Sequence, residues 1–490
     1  MRFAAVAGTC LACMIAFTGA TSGFAASETE EATEEAEATE VIADAAFEYD
    51  EFGVIDANYW ADIYPLEYNS YRMTVTDVPL EYEEYIAEGN EDTTTQGTEL
   101  LDGDYSSTKV NYLDEDQYPE IKTLGKGYGY AKYYTEPGGH AYSLWVVANN
   151  GRLGDLSESS GKVSCYACKT PQIHYDAENY DGEGSYWTQS IQDYQNTFTE
   201  SISCANCHEN EDPTQNAVLR EDWIRAMGDD LNDDTVTSAV CGQCHCDYSM
   251  APTVDEDSDA PFESGEPVSP YYGGQDTMNA EDALAFYDEY GFSDWTYAST
   301  GAQMLAVRHA EYEFNYGSNP SPMAQMGYEC ADCHMGTTVD EETGTEYTNH
   351  NIQSPLDNEE LLATCNTSGC HSDLASEVKE IQEDIDGRTH QLGLRAEQFI
   401  FNFEDKVAIE DADGNLTFDM DTALANGLTE DQVTRLQQIQ RYACYYWNLA
   451  AAENSEGAHN PDLYNDLLEK GNALLDEADE ILGVSSVVDA

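Results

Sequence analysis

The sequence predicts a mainly α-helical protein with few strands and long helices near the C-terminus. Two observations lead to this prediction. Strand signals are sparse where cysteines recur in pairs, between residues 165 and 370. In the last third of the chain, by contrast, apolar residues recur at the spacing of one helix face. The ordinary apolar content, 41% of all residues, permits a sizeable core.

Three helices are predicted in a C-terminal helical region, residues 373–490. The first is indicated by apolar residues at helical spacing, namely Leu374, Val378, Ile381 and Ile385. The second lies between residues 429 and 452, where the pattern continues at Val433, Leu436, Ile439 and Trp447. The third covers residues 462–482, and a turn at 410–416 separates the first two.

The first 46 residues are expected to precede the folded region. Residues 1–26 hold one Arg, an apolar run and then small residues, which is typical of a signal peptide. Cleavage is expected near Ala25 or Ala26; the alternative is a retained N-terminal anchor, because the run approaches membrane-spanning length. Residues 27–46 are small and acidic and predict a disordered linker. We therefore expect an exported protein, periplasmic or at the outer face of the cytoplasmic membrane.

The charge is strongly negative, with 96 Asp and Glu against 19 Lys and Arg and a net charge of −77. Such a surface repels phosphate backbones and anionic lipid headgroups, which excludes nucleic-acid binding. The charge favours cationic partners.

Ten of the 14 cysteines form five pairs, each followed by a lysine or a histidine. The pairs lie in CYACK (165–169), CANCH (204–208), CGQCH (241–245), CADCH (330–334) and CNTSGCH (365–371). Zinc sites use such pairs without requiring a histidine after each, and a disulfide across two residues is a poor structural staple. A c-type haem needs this arrangement, because two thioether bonds hold the porphyrin and the adjoining side chain reaches the iron.

The sequence therefore predicts five covalent c-type haems. Their thioether cysteines are Cys165, Cys168, Cys204, Cys207, Cys241, Cys244, Cys330, Cys333, Cys365 and Cys370. Their proximal iron ligands are Lys169, His208, His245, His334 and His371. Haems replace much of an ordinary side-chain core, so the predicted fold class is a mainly α multihaem cytochrome c with a haem-packed region at 47–372.

The first haem has a lysine where a histidine is expected. A lysine amine can bind iron once it has lost its proton. Six histidines are not proximal by motif: His140, His174, His309, His350, His390 and His459. If four haems each take one of these, the haem of Lys169 keeps an open position at which a substrate can bind.

From YWADIYPLEYNSY (59–71) to the C-terminus, the sequence resembles the pentahaem cytochrome c nitrite reductases, which form ammonium. That family has one lysine-ligated haem in C-x-x-C-K, followed by four histidine-ligated haems in the order seen here. The resemblance implies a six-electron reduction of nitrite, a homodimer formed through long helices, and a membrane-bound quinol-oxidising multihaem cytochrome as electron donor. The alternative is a non-catalytic electron-transfer conduit, which needs no lysine-ligated haem.

The resemblance also implies roles for individual residues. GGHAYSLWVVANNGR supplies His140 as distal ligand of the third haem and Arg152 as an active-site residue. CGQCHCDY and RHAEYEF supply the active-site residues Tyr248 and His309 beside Lys169. EYTNHNIQSPLDN and EGAHNPDL supply His350 and His459 as distal ligands of the second and fourth haems. Arg152 would hold nitrite oxygens, and His309 and Tyr248 would handle protons.

The sequence departs from the family pattern at the calcium site beside the active site. The positions of three family calcium ligands are held here by Asp247, Ala306 and Arg308. Arginine cannot bind a cation, so we expect no calcium, with the Arg308 guanidinium in its place and paired with Asp247 or a nearby carboxylate.

A second departure concerns the fifth haem. The family places its distal histidine seven residues before the fourth motif, where this sequence has Met323. Methionine is a known haem ligand that raises the reduction potential. We expect Met323 to ligate this haem, with Met326, His390 and His174 as the competing donors. Cys246 and Cys444 lie outside the pairs, and a disulfide and two free thiols both stay open.

Overall fold

The computed structural model describes residues 47–73, 118–128, 139–144, 147, 153, 156–255, 258–366, 371–412 and 414–485. The predicted signal peptide and linker lie outside the described residues, as do Arg152 and Cys370. Helices dominate the described part and strands are few and short, so the predicted fold class is confirmed.

Short helices carry most of the region before residue 373. They are α1 (Pro65–Arg72), α2 (Ile121–Leu124), α3 (Gln172–Glu178), α4 (Ile191–Tyr194), α5 (Cys204–Cys207), α6 (Glu221–Met227), α7 (Val236–Gly242), α8 (Ala280–Glu289), α9 (Glu311–Tyr316), α10 (Pro322–Gln325), α11 (Cys330–His334) and α12 (Glu359–Cys365). Turns of 3₁₀ helix lie at Ala57–Asp62, His140–Tyr142, Val163–Tyr166, Tyr186–Thr188, Gly228–Asp230, Gln275–Thr277 and Pro355–Asp357.

The described strands pair only as antiparallel two-stranded ribbons. They are β1 (His208–Glu209) with β2 (Asp212–Asn216), β3 (Ser249–Met250) with β4 (Pro267–Val268), β5 (Trp295–Thr296) with β6 (Gln303–Met304), β7 (Thr337–Val339) with β8 (Glu346–Thr348), and β9 (Ala408–Glu410) with β10 (Leu416–Phe418). Such ribbons are too small to form a core of their own, so they serve as connections between helices.

The C-terminal region contains α13 (Leu374–Val407), α14 (Met420–Ala425), α15 (Glu430–Ala452) and α16 (Pro461–Leu482). The three predicted long helices are therefore confirmed. The first continues well beyond the periodic stretch that predicted it, and the predicted turn at 410–416 connects β9 to β10.

Local signals explain where these helices begin and end. Asp373 caps α13 by accepting the backbone N–H of Ser376, and Thr429 forms a capping box with Gln432 at the start of α15. Helix α16 has Pro461 in its first turn and ends at Gly483, whose φ of 67° is a left-handed conformation that favours glycine.

The long helices pack against one another through buried apolar side chains. Leu392, Phe399, Ile400 and Phe403 of α13, Leu436, Ile439 and Trp447 of α15, and Leu467, Leu468 and Leu475 of α16 all belong to one core cluster. Each fully buried side chain of this size contributes about 1.5–3 kcal/mol relative to exposure. The three long helices therefore share one apolar core.

A separate small cluster surrounds the first cysteine pair. It contains Val163, Tyr166, Ile173 and Ile191, all buried. The first motif therefore packs against this small cluster, whereas Cys246, directly after the third motif, belongs to the main core cluster. In the part of the chain that the structure describes, no helix combines the length and the apolar character needed to cross a bilayer.

Candidate haem sites and active site

The first motif begins in the 3₁₀ turn Val163–Tyr166, and a hydrogen bond connects it to the segment that contains His140. The backbone N–H of Lys169 donates to Tyr166 at 2.8 Å, and the Lys169 carbonyl accepts the Ser143 hydroxyl at 2.6 Å. Ser143 lies three residues after His140, so this bond ties the predicted lysine ligand to a predicted distal histidine. The side chain of Lys169 is half-buried and lies near both His140 and Cys168.

The second and fourth motifs form short helices that place both cysteines on one side. In α5 the capping box joins Ser203 and Asn206, and in α11 it joins Glu329 and Asp332. Residues three apart lie on the same helix face, so the two sulfurs of each pair point the same way. This is the arrangement that two thioether bonds to one porphyrin require.

Cysteines of different motifs also meet. Cys168 of the first motif lies close to Cys244 of the third, and Cys241 of the third lies close to Cys330 of the fourth. The first, third and fourth motifs therefore form one continuous group. Haems attached at these sulfurs would have neighbouring edges, as electron transfer along the chain requires.

Three pairs of histidine rings face each other at nearly equal separations. The ring centroids are 6.2 Å apart for His208 and His350, 6.5 Å for His140 and His245, and 6.2 Å for His334 and His459. An imidazole nitrogen binds a metal at about 2 Å, so rings on opposite sides of one metal have centroids roughly 6 Å apart. These residues fit bis-histidine haems, and the pairs are those implied by the resemblance.

The remaining nitrogens of these rings support the same interpretation. Nδ1 of His334 lies 3.1 Å from the Gln353 carbonyl, and Nδ1 of His350 lies 2.8 Å from the Thr348 carbonyl. Nδ1 of His459 bonds to the carboxylate of Glu453. A metal-bound histidine usually holds such a partner on its other nitrogen, which orients the ring. Nε2 of these three rings would therefore be the nitrogen available to a haem iron.

The fifth haem site is less complete. His371 Nδ1 lies 2.8 Å from Glu377, and no described imidazole faces His371 at the separation of the other pairs. His174 bonds to the Ala167 carbonyl at 2.9 Å and His390 to Glu120 at 3.0 Å. Met323 lies on α10 with 37% of its surface exposed and Met326 with 63%. Ligation by Met323 stays a prediction.

Tyr248 lies against two arginines. The central guanidinium carbon of Arg220 is 5.0 Å from the ring centroid of Tyr248, and that of Arg308 is 5.2 Å from it. Both distances are in the range of a cation–π interaction. The pattern of the sequence did not single out Arg220, which lies 28 residues earlier in the chain.

His309 lies beside the third haem motif. Its ring centroid is 5.0 Å from that of His245, and Glu311 approaches Nδ1 of both rings at 3.5 Å. Burial alone would raise the pKa of Glu311, but the two imidazoles hold it well below its ordinary value. His309, Lys169 and Arg220 all lie near Cys168. Lys169, His309 and Tyr248 are thus grouped around the first and third motifs, and Glu311 joins them as an unpredicted member.

Arg308 is surrounded by oxygen acceptors, but its carboxylate partner is not Asp247, the partner expected first from the sequence. Its guanidinium donates to the carbonyls of Tyr248 at 2.8 Å and Ala306 at 2.9 Å, and pairs with Asp294 at 2.5 Å. The expected pair with Asp247 is therefore wrong, and Asp294 is the nearby carboxylate that takes its place. The Ala306 carbonyl, at a family calcium-ligand position, is bonded to this arginine.

Asp247 is held by hydroxyl groups instead. The phenols of Tyr445 and Tyr287 donate to its Oδ2 at 2.6 and 3.1 Å, and its backbone N–H donates to Glu313 at 2.7 Å. Burial raises the pKa of Asp247 to about 6, although Tyr445 and Arg308 act in the opposite direction. Burial likewise raises the pKa of Glu313 to about 8.

Cys246 and Cys444 are both buried free thiols. Cys246 Sγ lies 3.3 Å from the Ser269 hydroxyl, and burial raises the pKa of Cys444 to about 12. Of the two alternatives left open by the sequence, the structure shows free thiols.

Comparisons with known proteins show which family the chain resembles. The profile of the cytochrome c552 family matches residues 56–487. Cytochrome c-552 of Desulfotalea psychrophila is 29% identical over 367 residues, which span 73% of this chain and 66% of that protein. Cytochrome c-552 of Haemophilus ducreyi is 26% identical over 467 residues, 91% of this chain and 79% of that protein.

A solved structure shares the fold. The cytochrome c nitrite reductase of Desulfovibrio desulfuricans ATCC 27774 superposes with a TM-score of 0.66 at 22% identity, covering 87% of this chain and 86% of that one. Covalent c-type haem is the cofactor implied by the family profile. The family profile covers residues 56–487, which is nearly the whole folded region, and the chain therefore belongs to the cytochrome c552 family.

Proposed function

We propose that this cytochrome reduces nitrite to ammonium in a six-electron reaction at the haem attached to Cys165 and Cys168. The observation that carries the proposal is the grouping of Lys169, His309 and Tyr248 around the first and third motifs. A lysine ligand, an imidazole and a phenol around one haem site form a reaction centre, and an electron conduit needs none of them. When bound, the haems supply electrons and an open iron position for nitrite.

His309 is the proposed proton donor. Its Nδ1 lies 3.5 Å from the carboxylate of Glu311, which is buried and stays ionised. A carboxylate at that nitrogen orients the ring. Glu311 is in this view a positioning residue, and it links His309 to His245 of the third haem site.

Tyr248 and Arg152 complete the proposed site. The ring of Tyr248 is held by two guanidinium groups, so its hydroxyl has a defined position relative to the third motif. Arg152 would contribute charge and a donor fork for the nitrite oxygens. Lys169 must be neutral to ligate iron.

Electrons would reach this site along the contiguous motifs. The contacts of Cys168 with Cys244 and of Cys241 with Cys330 place the third site between the first and the fourth. We propose five haems in all, no calcium at the Arg308 site, export from the cytoplasm, a homodimer, and a membrane-bound quinol-oxidising multihaem cytochrome as donor. Metal analysis of the purified protein checks the calcium proposal, since stoichiometric calcium at this site would contradict it.

The function is tested with haem-loaded protein, a reduced viologen and nitrite. The expected result is one ammonium formed per nitrite consumed and six electrons taken from the viologen. Haem content measured on the same sample ensures that an inactive preparation is not merely under-loaded. Fully loaded protein that oxidises viologen without forming ammonium would refute the proposal and favour the electron conduit.

A further inference from the structure

Arg220 is a buried arginine that the proposed function does not use. It precedes α6 and is 1% exposed. Burying a guanidinium is unfavourable unless every donor finds an acceptor and the charge is paired. Its place next to two cysteine motifs therefore needs an explanation.

The orientation of the Arg220 guanidinium is completely constrained. Nε donates to Asp222 Oδ1 at 3.0 Å, and a terminal nitrogen bonds to Oδ2 of the same carboxylate. Asp222 is itself held by the backbone N–H of Ser269 at 3.0 Å and its hydroxyl at 3.1 Å. A fork bound on both oxygens of a fixed carboxylate cannot rotate.

The other edge of Arg220 contacts the first and third motifs. One terminal nitrogen donates to the Gln243 carbonyl, inside CGQCH, and lies 3.6 Å from Cys168 Sγ. The Gln243 side chain accepts the Arg220 backbone N–H at 3.3 Å and donates to the Asn206 carbonyl of the second motif at 2.8 Å. Arg220 thus joins the lysine-ligated site to the next two sites.

The same guanidinium lies over the ring of Tyr248, with its carbon 5.0 Å from the centroid. Arg308 contacts that ring at 5.2 Å and is anchored separately by Asp294. Tyr248 is therefore bracketed by two cations that are each fixed by a different carboxylate.

We propose that Arg220 is a positioning residue of the lysine-ligated haem site. It holds the Tyr248 ring in place and keeps a permanent positive charge at the Cys168 edge of the haem. The role given to Tyr248 in this inference rests on the proposed function. The predicted effect of Arg220 on the haem does not. A fixed cation favours the reduced haem over the oxidised one, because reduction adds negative charge.

The test compares Arg220→Gln and Arg220→Lys with a matched control, Arg225→Gln. Arg225 lies on α6 close by, pairs with Glu266 and contacts none of the cysteine motifs among its described bonds. The first measurement is the midpoint potential of each haem by spectroelectrochemistry in the absence of nitrite. The second is kcat and KM for nitrite.

Arg220→Gln should lower the potential of the lysine-ligated haem alone, since it removes the cation and leaves Asp222 unpaired. Arg220→Lys should restore the potential but not kcat, which falls about tenfold, because an ammonium group cannot form the planar fork and stack on the ring. Arg225→Gln should leave both at wild-type values. An unchanged potential in Arg220→Gln overturns the proposal, as does a wild-type kcat in Arg220→Lys.

One further variant keeps the test valid if Arg220→Gln does not accumulate as loaded protein. Asp222→Asn retains the cation and removes its counter-charge, so the potential of the same haem should rise, and a fall or no change contradicts the proposal. If the wild type forms no ammonium while these potentials shift as stated, the proposed function fails and the charge at Cys168 is still supported.

Discussion

The histidine side chains of this protein differ in the group that is hydrogen-bonded to Nδ1. This group affects how strongly the imidazole donates to a bound iron. His334 and His350 meet backbone carbonyls, whereas His459 meets the fully buried carboxylate of Glu453. Burial would lower the pKa of His459, but Glu453 outweighs it and raises the pKa to about 8. A carboxylate partner makes an imidazole a stronger donor to iron, which stabilises the oxidised metal.

Glu453→Gln should therefore raise the midpoint potential of the haem predicted at His334 and His459. A hydrogen bond to a charged group contributes about 1.5 kcal/mol, which corresponds to about 60 mV for one electron. The control is Glu404→Gln, a buried glutamate that bonds to Ser299 and no histidine. Equal potentials in Glu453→Gln and the wild type would show that this carboxylate does not tune the haem.

Replacement of His309 tests the proposed proton donor. His309→Asn should lower kcat for nitrite about 100-fold, the usual scale for loss of a general acid. The absorption spectrum of the oxidised haems should be unchanged, because His309 is not a predicted iron ligand. Tyr297→Phe, which removes a buried hydroxyl bonded to the Thr123 carbonyl at 2.8 Å, is the control and should retain activity. Full activity in His309→Asn would exclude this role.

The buried ion pair of Arg308 with Asp294 leads to a prediction about stability. Its side chain is 12% exposed and that of Asp294 is 5% exposed, so Arg308→Gln leaves a buried unpaired carboxylate. The expected loss is about 3 kcal/mol in the free energy of unfolding, measured by denaturant titration. The Arg435–Glu477 pair is 35% and 42% exposed, and Arg435→Gln should change the same quantity by less than about 1 kcal/mol. Equal losses in the two variants would contradict the assigned role of burial.

At the scale of elements, the long helices of the C-terminal region carry out the packing that the short helices around the motifs cannot. Helix α13 contacts α15, α16 and the short α2, and one of its glycines, Gly393, lies at a close approach. A Cβ added at Gly393 would lie 2.6 Å from Glu120 Cγ and 2.7 Å from Trp447 Nε1. At Gly387, on the same helix, nothing lies within 4 Å.

The two glycines give a matched pair of variants. Gly393→Ala should destabilise the protein by about 1–3 kcal/mol, because Glu120 and Trp447 must move. Gly387→Ala should stabilise it by about 0.5–1 kcal/mol, because alanine favours the helix and meets no neighbour. Thermal unfolding of both variants checks this, and a stabilising Gly393→Ala would mean that α13 packs differently.

At the scale of the whole molecule, the main feature is the net charge of −77. Repulsion among so many like charges opposes the compact state, and dissolved salt screens it. The melting temperature should therefore rise by several degrees between about 0.05 and 0.5 M NaCl, measured by calorimetry on loaded protein. A melting temperature independent of salt would mean that the charges are widely separated or already neutralised.

The cysteine motifs and the long helices could be predicted from short stretches of residues. Covalent haem attachment is local, since both sulfurs and the proximal ligand lie within five to seven consecutive residues. Helical periodicity is likewise local, which is why the starts of α13, α15 and α16 were predicted closely. The extension of α13 to Val407 was missed, because Gly387 and Gly393 weaken the pattern and only packing on α15 and α16 compensates for them.

Partners across the fold were decided by the tertiary structure. His140 and His245 lie 105 positions apart in the chain, and the resemblance, not their spacing, indicated that they face each other. Arg308 pairs with Asp294 and not with Asp247, whose Oδ2 accepts the phenols of Tyr287 and Tyr445. Arg220 and Glu311 joined the candidate site in the same way. Contacts of this kind depend on how distant segments pack, and residue spacing encodes only what lies within a few turns of one element.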